Sequence, residues 1–365
     1  MAKDYAELIK RMNLRSNPDS YPRTVLFSEN KLGSKLFKSI SIDYSDVTKY
    51  VKQAMQGVAA EYTKNSKLAA DKIEAHLKKS HGKEVHFERQ GSVMTNTHIL
   101  KDNDVDLVQI TNKSSKIDHD RLKKALENPS QLTSLEITNL KKHSDDFCAY
   151  EGNQLSDLGL LRKKSEEVLT SIYKEVDITK DNCIYVKVSY PERDVDVVTA
   201  TYYKGIDYMK TNRNYRRGVQ IYNKKTDSIG DVDYPFWSIQ RINERSLVTD
   251  GRLKNMIRFL KNVKYDCENI DNKGSIRSFH INAICYNINT NKYQYEHYLD
   301  LVSILNEEIT HILNDKPYRD KIMSVDGTES IFAVNCNKKL EELEFLRQEI
   351  DSILADLSNQ NLLIG

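Results

Sequence analysis

Apolar side chains recur at every third or fourth position between residues 45 and 82, the spacing of one buried helix face. Ser45 is a favourable N-cap residue, Asp46 suits a first turn, and His81-Gly82 suits a helix end. The pattern therefore predicts one long helix, or two helices in tandem, that form a spine of the molecule. Its apolar positions are Val47, Tyr50, Val51, Ala54, Met55, Val58, Tyr62, Ala69, Ile73 and Leu77.

Four shorter segments either alternate apolar and polar residues or are rich in β-branched side chains, as strands are. They are residues 85–90, 104–110, 184–190 and 195–202. Residues 191–194, which begin with proline, fit a tight turn between the last two. A helix is predicted over residues 156–176, with its first residue, a serine, as N-cap. The polar segment 111–155 is predicted to be an insertion with one helix at 120–126.

Strand patterns fade after about residue 215, and helical spacing dominates from there. The predicted helices are 253–263, 275–286, 295–313 and 338–357. The chain is thus predicted to be α+β, with a mixed sheet on the spine helix in residues 1–215. Residues 216–365 are predicted to form a helical lobe with a flexible C-terminal tail.

Composition narrows the possible functions. The formal net charge is +2, so the chain lacks the basic excess of a protein that coats long nucleic acid. No apolar run could span a bilayer, and the charged N-terminus lacks a signal-peptide core. The five cysteines show no zinc spacing. We expect a cytoplasmic, reduced protein that acts neither on membranes nor on long nucleic acid.

Three aspartates are the candidate catalytic residues. Asp104 and Asp106 project from the same strand face because side chains alternate along a strand. Asp196 lies in a second apolar strand, where an acid without a partner is costly to bury. Asp194 falls at the predicted turn and is interpreted as structural. An isolated Asp-x-Asp is more often an exposed polar face, so the third carboxylate carries the hypothesis.

Close carboxylates stay ionised only beside a compensating charge, which a hard divalent cation supplies. Asp104, Asp106 and Asp196 are therefore predicted to hold two Mg²⁺ ions, with Mn²⁺ as a possible substitute. Gly91 permits close backbone approach to a triphosphate, and Ser92 can donate a hydrogen bond to its oxygens.

These residues, in this order, resemble the polymerase-beta-type nucleotidyltransferase superfamily. Within it they are most similar to the CD-NTase family, bacterial relatives of cyclic GMP-AMP synthase and oligoadenylate synthetase. The matching motifs are Gly91-Ser92 with Thr97 and Asp104-Val105-Asp106, Val195-Asp196-Val197-Val198, the stretch Asp250-Gly251 to Lys261, and Ser278-Phe279-His280. The chain departs from the family at Asn96, where glycine is common.

The resemblance implies a polymerase-beta-like sheet with a C-terminal helical lobe. It implies that Gly91, Ser92 and Thr97 contact the triphosphate, and that Lys261, Lys254 and Ser278 contribute from the helical lobe. From the residues alone, a basic stripe such as Lys254, Arg258 and Lys261 is more often a solvated helix face, and the resemblance is what favours Lys261 as a phosphate contact.

The implied function is synthesis of a cyclic di- or trinucleotide messenger from nucleoside triphosphates, with ATP an expected substrate, in anti-phage (CBASS) defence. The alternatives are a linear oligoadenylate synthase, a small-molecule nucleotidyltransferase and a non-catalytic antitoxin-type module. Some family members are conjugated through a C-terminal glycine, so a ubiquitin-like activating and conjugating partner acting on Gly365 is also implied.

Overall fold

The computed structural model describes residues 3–16, 45–99, 105–271 and 274–364. The helices are α1 Tyr5–Ser16, α2 Asp46–Met55, α3 Ala60–His81, α4 Ser92–Thr95, α5 His119–Glu127, α6 Ser134–Asp145, α7 Gln154–Ile172, α8 Ile206–Thr211, α9 Pro235–Val248, α10 Arg252–Asp266, α11 Ser278–Asn287, α12 Asp300–Asn314, α13 Lys316–Arg319 and α14 Cys336–Ile364. The strands are β1 Val85–Gln90, β2 Val105–Ile117, β3 Glu175–Asp177, β4 Cys183–Ser189, β5 Glu192–Lys204, β6 Gly218–Asn223 and β7 Ser228–Asp233.

One mixed sheet organises the strands in the order β1-β2-β5-β4-β3, and β6 and β7 extend it from the far end of β5. Among the strands that the structure describes, β2 and β5 pair in parallel and the other pairs are antiparallel. The long strand β5 therefore lies between β2 and β4 in its first half and pairs with β6 in its second half. This mixed sheet with a helical C-terminal region confirms the predicted α+β class.

Helices α3 and α7 cover one face of the sheet, which packs against them through the larger apolar core. Val105, Leu107, Val195 and Val197 are fully buried on that face, and they pack with Ile73 and other apolar residues of α3. Because strand side chains alternate, the residues between these valines and leucines point to the opposite face. The apolar core thus fixes which side of the sheet carries the aspartates.

Two compact units divide the chain. The sheet unit consists of Ala60–Asn96 and Asp102–Glu244. The helical unit combines the chain up to Ala59, the short segment Thr97–Lys101 and everything from Arg245 onward. This division differs from the boundary predicted after residue 215, because β6 and β7 belong to the sheet and because α1 and α2 pack among the C-terminal helices.

Hydrogen bonds between distant residues join the two ends of the chain within the helical unit. The Tyr5 hydroxyl of α1 donates to Asp356 Oδ2 of α14 at 2.6 Å. The Tyr50 hydroxyl of α2 donates to Asp266 Oδ2 of α10 at 3.0 Å. The helical unit is therefore assembled from both termini.

Several predicted elements are confirmed and others are wrong. The spine is two helices in tandem, α2 and α3, and the Ser45 hydroxyl accepts the Thr48 N–H as an N-cap. Helix α7 begins earlier than predicted, with Asn153 as its cap in place of Ser156. The predicted insertion is partly strand, because β2 continues to Ile117, and it carries a second helix, α6.

Other boundaries also differ from the predicted ones. Residues 191–194 are not a four-residue turn: Ser189 pairs with Glu192, so the loop is two residues long. The strands β6 and β7 were not predicted, nor were the helices α1, α8 and α9. Helix α14 continues to Ile364, so the tail predicted to be irregular after residue 357 is helical as far as the structure describes it.

The environments of the cysteines and the apolarity of the helices bear on two further predictions. All five cysteines are free, and Cys267 and Cys285 are buried. Among the described residues, no helix combines the length and apolarity needed to cross a membrane.

Two buried histidines should make the protein acid-sensitive. Burial is the main cause that lowers the pKa of both His81 and His280 to about 4. An unfolded histidine titrates near 6.5, so the unfolded chain binds more protons between these values. The free energy of unfolding should therefore fall as the pH is lowered from about 6.5 towards 4. Urea unfolding midpoints at pH 7.5, 6.5, 5.5 and 5.0 measure this fall.

A double variant provides the control for the acid effect. His81 Nε2 lies 2.9 Å from Ser165 Oγ, and His280 Nδ1 accepts the Arg277 N–H at 3.0 Å. His81→Gln and His280→Asn keep a polar atom at these positions without a titrating ring. The double variant should lose less stability than wild type between pH 6.5 and 5.0; an equal loss would contradict the assignment.

Candidate active site

The candidate site begins with a row of side chains across four strands. Gln90 of β1 is the register partner of Asp106 of β2, which is the partner of Asp196 of β5. Asp196 in turn faces Tyr185 of β4. Neighbouring strands lie about 4.8 Å apart, so the two aspartates are adjacent on the face opposite the apolar core. The predicted pairing of Asp106 with Asp196 is thus what the sheet register produces.

The two carboxylates supply the donor type that Mg²⁺ prefers. Both residues are half-buried, so their charges are only partly screened by water. Asp104 lies outside the described residues. Among the described residues, no three His, Cys, Asp or Glu side chains gather as a metal site. The donor chemistry of Asp106 and Asp196 fits a divalent cation, and the complete three-carboxylate set stays a prediction.

Gly91 closes over Asp106 in a way that only glycine permits. Its φ is 84° and its ψ is −173°, a region that L side chains rarely adopt. A Cβ at this position would lie 2.5 Å from Asp106 Oδ2, which is closer than real Cβ contacts. The backbone of the Gly91-Ser92 loop therefore lies directly against one of the candidate metal ligands, and Ser92 begins the one-turn helix α4 beside it.

The same loop explains the departure at Asn96. Asn96 ends α4 with φ 53° and ψ 41°, the left-handed conformation. Asparagine tolerates this conformation better than other non-glycine residues. The Asn96 N–H also closes the turn by bonding to the Val93 carbonyl at 3.4 Å. Asn96 thus adopts a left-handed conformation that glycine would also adopt without strain.

Lys180 is a cation beside Asp196 that the sequence did not reveal. Its Nζ lies 3.1 Å from Asp196 Oδ1 and 4.7 Å from the centre of the Tyr185 ring. The Tyr185 hydroxyl donates to Asp194 Oδ1 at 2.8 Å. Asp194 therefore holds the ring on which the lysine rests, which agrees with its interpretation as structural. Burial, together with the charge of Asp196, raises the pKa of the nearby Cys183 thiol to about 12, so it stays neutral.

A buried arginine fixes the loop that carries Lys180. The Arg162 guanidinium of α7 donates to the Lys180 carbonyl at 3.1 Å and the Cys183 carbonyl at 2.7 Å. Its Nε donates to Glu166 Oε1 at 2.7 Å, and Glu166 also accepts from Lys224 Nζ. Arg162 is 1% exposed. The sequence predicts that Arg162 lies on a helix, but it does not predict which groups the side chain contacts.

Helix α10 carries the basic stripe, and most of it is buried. Lys261 is 3% exposed, and its Nζ donates to the Thr97 carbonyl at 3.0 Å. Arg258 Nε donates to the Met55 carbonyl at 2.7 Å, and burial lowers the pKa of Arg258 to about 10. Burial also lowers the pKa of Lys254, which is half-buried. The structure therefore excludes a fully solvated face for this stripe.

Ser278 and His280 occupy the start of α11. Ser278 is the first residue of that helix and is half-buried. His280 is buried and caps the helix through its contact with Arg277, and its lowered pKa keeps it neutral. The structure thus brings Gly91, Asp106 and Asp196 together in the sheet unit and Thr97 and Lys261 together in the helical unit.

We expect Lys261→Ala to weaken nucleotide binding. A charge-assisted hydrogen bond to phosphate contributes about 1.5–3 kcal/mol. The dissociation constant of a non-hydrolysable nucleoside triphosphate analogue, measured by calorimetry, should rise accordingly. Lys316→Ala is the control, since that side chain is 72% exposed and forms its ion pair with Asp320 of the neighbouring turn. Unchanged affinity together with a lower melting temperature would limit Lys261 to holding Thr97.

Comparison with known proteins finds a matching family model and full-length relatives of this chain. Residues 240–355 match the family model of the cGAS/DncV-like nucleotidyltransferase C-terminal helical domain. A c-di-GMP synthase from Flavobacteriaceae sp. is 66% identical over 365 residues, covering 100% of both chains. A c-di-GMP synthase from Capnocytophaga granulosa is 39% identical over 361 residues, covering 98% of this chain and 99% of the relative.

Solved structures agree with the sequence matches. The structure described as a STING-associated CdnE c-di-GMP synthase from Flavobacteriaceae sp. has a TM-score of 0.89 at 65% identity, covering 99% of this chain and 100% of that one. The structure of the STING-associated CdnE c-di-GMP synthase from Capnocytophaga granulosa has a TM-score of 0.75 at 37% identity. It covers 98% of this chain and 100% of that one.

Proposed function

Because the chain belongs to the CD-NTase family and is a nucleotidyltransferase, we propose that it condenses two GTP molecules into cyclic di-GMP and releases pyrophosphate. The observation that carries this proposal is the Asp106–Asp196 pair with Gly91 closed over it, in a chain whose full-length relatives are named c-di-GMP synthases. The choice of GTP rests on those names, and it replaces ATP, which the sequence resemblance suggested.

The reaction is two successive nucleotidyl transfers. A ribose hydroxyl oxygen of one nucleotide bonds to the α-phosphorus of the other, and the bond from that phosphorus to the bridging oxygen breaks. Pyrophosphate leaves, and the hydroxyl proton passes to solvent. The same exchange between the ends of the linear intermediate closes the ring. Catalysis of this kind depends on positioning and charge stabilisation rather than on a covalent enzyme intermediate.

Each candidate residue has a role in that scheme. Asp106 and Asp196, with Asp104, would hold two Mg²⁺ ions, or Mn²⁺. When bound, the metal lowers the pKa of the attacking hydroxyl and neutralises charge on the phosphates. The Gly91-Ser92 loop offers its backbone and the Ser92 hydroxyl to the triphosphate beside the carboxylates. Thr97, Lys254, Lys261 and Ser278 are proposed as further phosphate contacts, as the family resemblance implies.

The product would act as a second messenger. Its role in anti-phage (CBASS) defence is part of the proposal, and so is activation of a STING-type receptor. The support is the description of the Flavobacteriaceae relative as STING-associated. Defence against phage should depend on both the enzyme and a neighbouring receptor gene.

Product analysis tests the proposed function. The purified protein is incubated with each radiolabelled nucleoside triphosphate, singly and mixed, with Mg²⁺ or Mn²⁺. Nuclease and phosphatase digestion then establishes linkage and ring closure. A phosphatase-resistant product from GTP alone supports the proposal. A linear oligoadenylate or a nucleotidylated small molecule would identify one of the other transferases, and no product under any condition would favour a non-catalytic module.

The conjugation of Gly365 is a separate proposal, and Gly365 itself lies outside the described residues. We expect a ubiquitin-like activating and conjugating enzyme to join this carboxyl terminus to a target, since glycine lacks a side chain that would hinder thioester transfer. Gly365→Glu should remove a higher-mass species from cells that carry the native operon. Synthesis by the purified variant should be unchanged. Absence of any conjugate with the wild-type protein would refute the proposal.

A further inference from the structure

We propose that Lys180 is an internal counter-cation of Asp196 that opposes metal binding in the absence of nucleotide, so that metal enters together with the substrate. This inference rests on the proposed function, since it requires Asp196 to be a metal ligand. The observation that carries it is the 3.1 Å contact between Lys180 Nζ and Asp196 Oδ1.

Lys180 occupies a fixed position rather than a random surface location. Its loop joins β3 to β4, and protein groups contact the backbone at several consecutive residues. Arg162 binds the Lys180 and Cys183 carbonyls. The Asp181 carbonyl accepts the Lys224 N–H at 2.9 Å, and the Thr179 N–H donates to Asp177 Oδ1 at 2.8 Å. The loop is therefore held from both sides.

The Lys180 side chain has a second contact besides Asp196, with an aromatic ring. The Lys180 ammonium lies 4.7 Å from the Tyr185 ring centre, within the range of a cation–π contact. The ring is held in turn by the hydrogen bond from its hydroxyl to Asp194. Lys180 remains 40% exposed, whereas Asp196 is only 16% exposed. The lysine can therefore move away while the carboxylate stays in place.

The charges of the two aspartates and of Lys180 explain how this contact would affect metal binding. Asp106 and Asp196 are register partners, so their negative charges repel each other. Lys180 offsets that repulsion in the protein without metal. A divalent cation at the same carboxylates would meet the ammonium as a like charge and would bind more weakly. The triphosphate brings negative charge of its own, and the flexible lysine stem allows the ammonium to turn towards phosphate oxygens.

Binding of Mn²⁺ alone, followed by the electron paramagnetic resonance signal of free Mn²⁺, measures the effect without catalysis. Lys180→Met should tighten Mn²⁺ binding about tenfold, as expected for one unit charge removed near half-exposed groups. Lys180→Arg keeps the charge and should bind Mn²⁺ as wild type does. Lys187→Met is the matched control on the adjacent strand β4, because its ammonium contacts Glu175 and Glu192 instead; it should change affinity less than about twofold.

The outcomes separate this inference from the proposed function. Asp106→Asn and Asp196→Asn should weaken Mn²⁺ binding, and Asp196→Asn should abolish the difference between Lys180→Met and wild type. If the aspartate variants bind Mn²⁺ as wild type does, the proposed metal site itself is wrong. If they weaken binding but Lys180→Met leaves it unchanged or weaker, only the counter-cation role of Lys180 is overturned.

Discussion

Asp106→Asn and Asp196→Asn are each expected to reduce product formation by about a thousandfold or more. Metal ions supply several kcal/mol of charge stabilisation in the transition state, and roughly 1.4 kcal/mol corresponds to each tenfold in rate. The amide keeps the size of the side chain but is a poor ligand for a hard cation. Product formed from radiolabelled GTP under Mg²⁺ gives the rate.

The fold should survive these substitutions. Removing one of two neighbouring carboxylates relieves repulsion, so the melting temperature of metal-free Asp106→Asn should not fall. Asp231→Asn is the control, since Asp231 is exposed on β7. Near wild-type activity in an Asp106→Asn/Asp196→Asn double variant would show that the site lies elsewhere.

Arg162→Met is expected to cause the largest loss of stability. Breaking a buried ion pair from one side typically costs about 3–5 kcal/mol, because the remaining charge loses its partner. Here Glu166, which is 8% exposed, would lose its buried cationic partner and retain its contact with the more exposed Lys224, and the Lys180 and Cys183 carbonyls would lose their donor. Urea unfolding at pH 7.5, with a constant m-value, measures the change.

Two variants show whether the buried charge is the cause. Arg121→Met removes an arginine whose side chain is 70% exposed, and it should cost under about 1 kcal/mol. In Arg162→Met/Glu166→Leu no carboxylate remains buried at that place, so part of the lost stability should return. A double variant as unstable as the sum of the single variants would mean that the arginine acts only through the loop carbonyls.

The sequence predicts best where a short pattern determines the structure. Alternation in two apolar strands placed Asp106 and Asp196 opposite the core, and the register of β2 with β5 then made them neighbours. The fold class and the tandem spine were predictable for the same reason, since long apolar periods outweigh local exceptions. The close backbone approach at Gly91 was predictable too, because L side chains rarely adopt the conformation that it requires.

Features that depend on distant contacts were not predictable. β7 has exposed, polar positions, so its pattern does not distinguish a sheet edge from a loop. Lys180 lies in a polar stretch that gives no sign of the strand it will meet, and Arg162 is one of several charged residues on its helix. Buried Arg258 donates to the Met55 carbonyl of α2, which is about 200 residues away in the chain. Tertiary structure alone brings these groups together.

The helical unit draws its helices from both ends of the polypeptide, and this determines when it can form during synthesis. Ala60–Asn96 and Asp102–Glu244 leave the ribosome before the C-terminal helices exist, so the sheet can fold while translation continues. Helix α1 must wait for α14 before Tyr5 can bond to Asp356, which is 351 residues later in the chain. A chain that stalls or is cleaved before α14 would therefore carry a folded sheet with its aspartates but an unfinished helical unit. Such a fragment should make no cyclic dinucleotide.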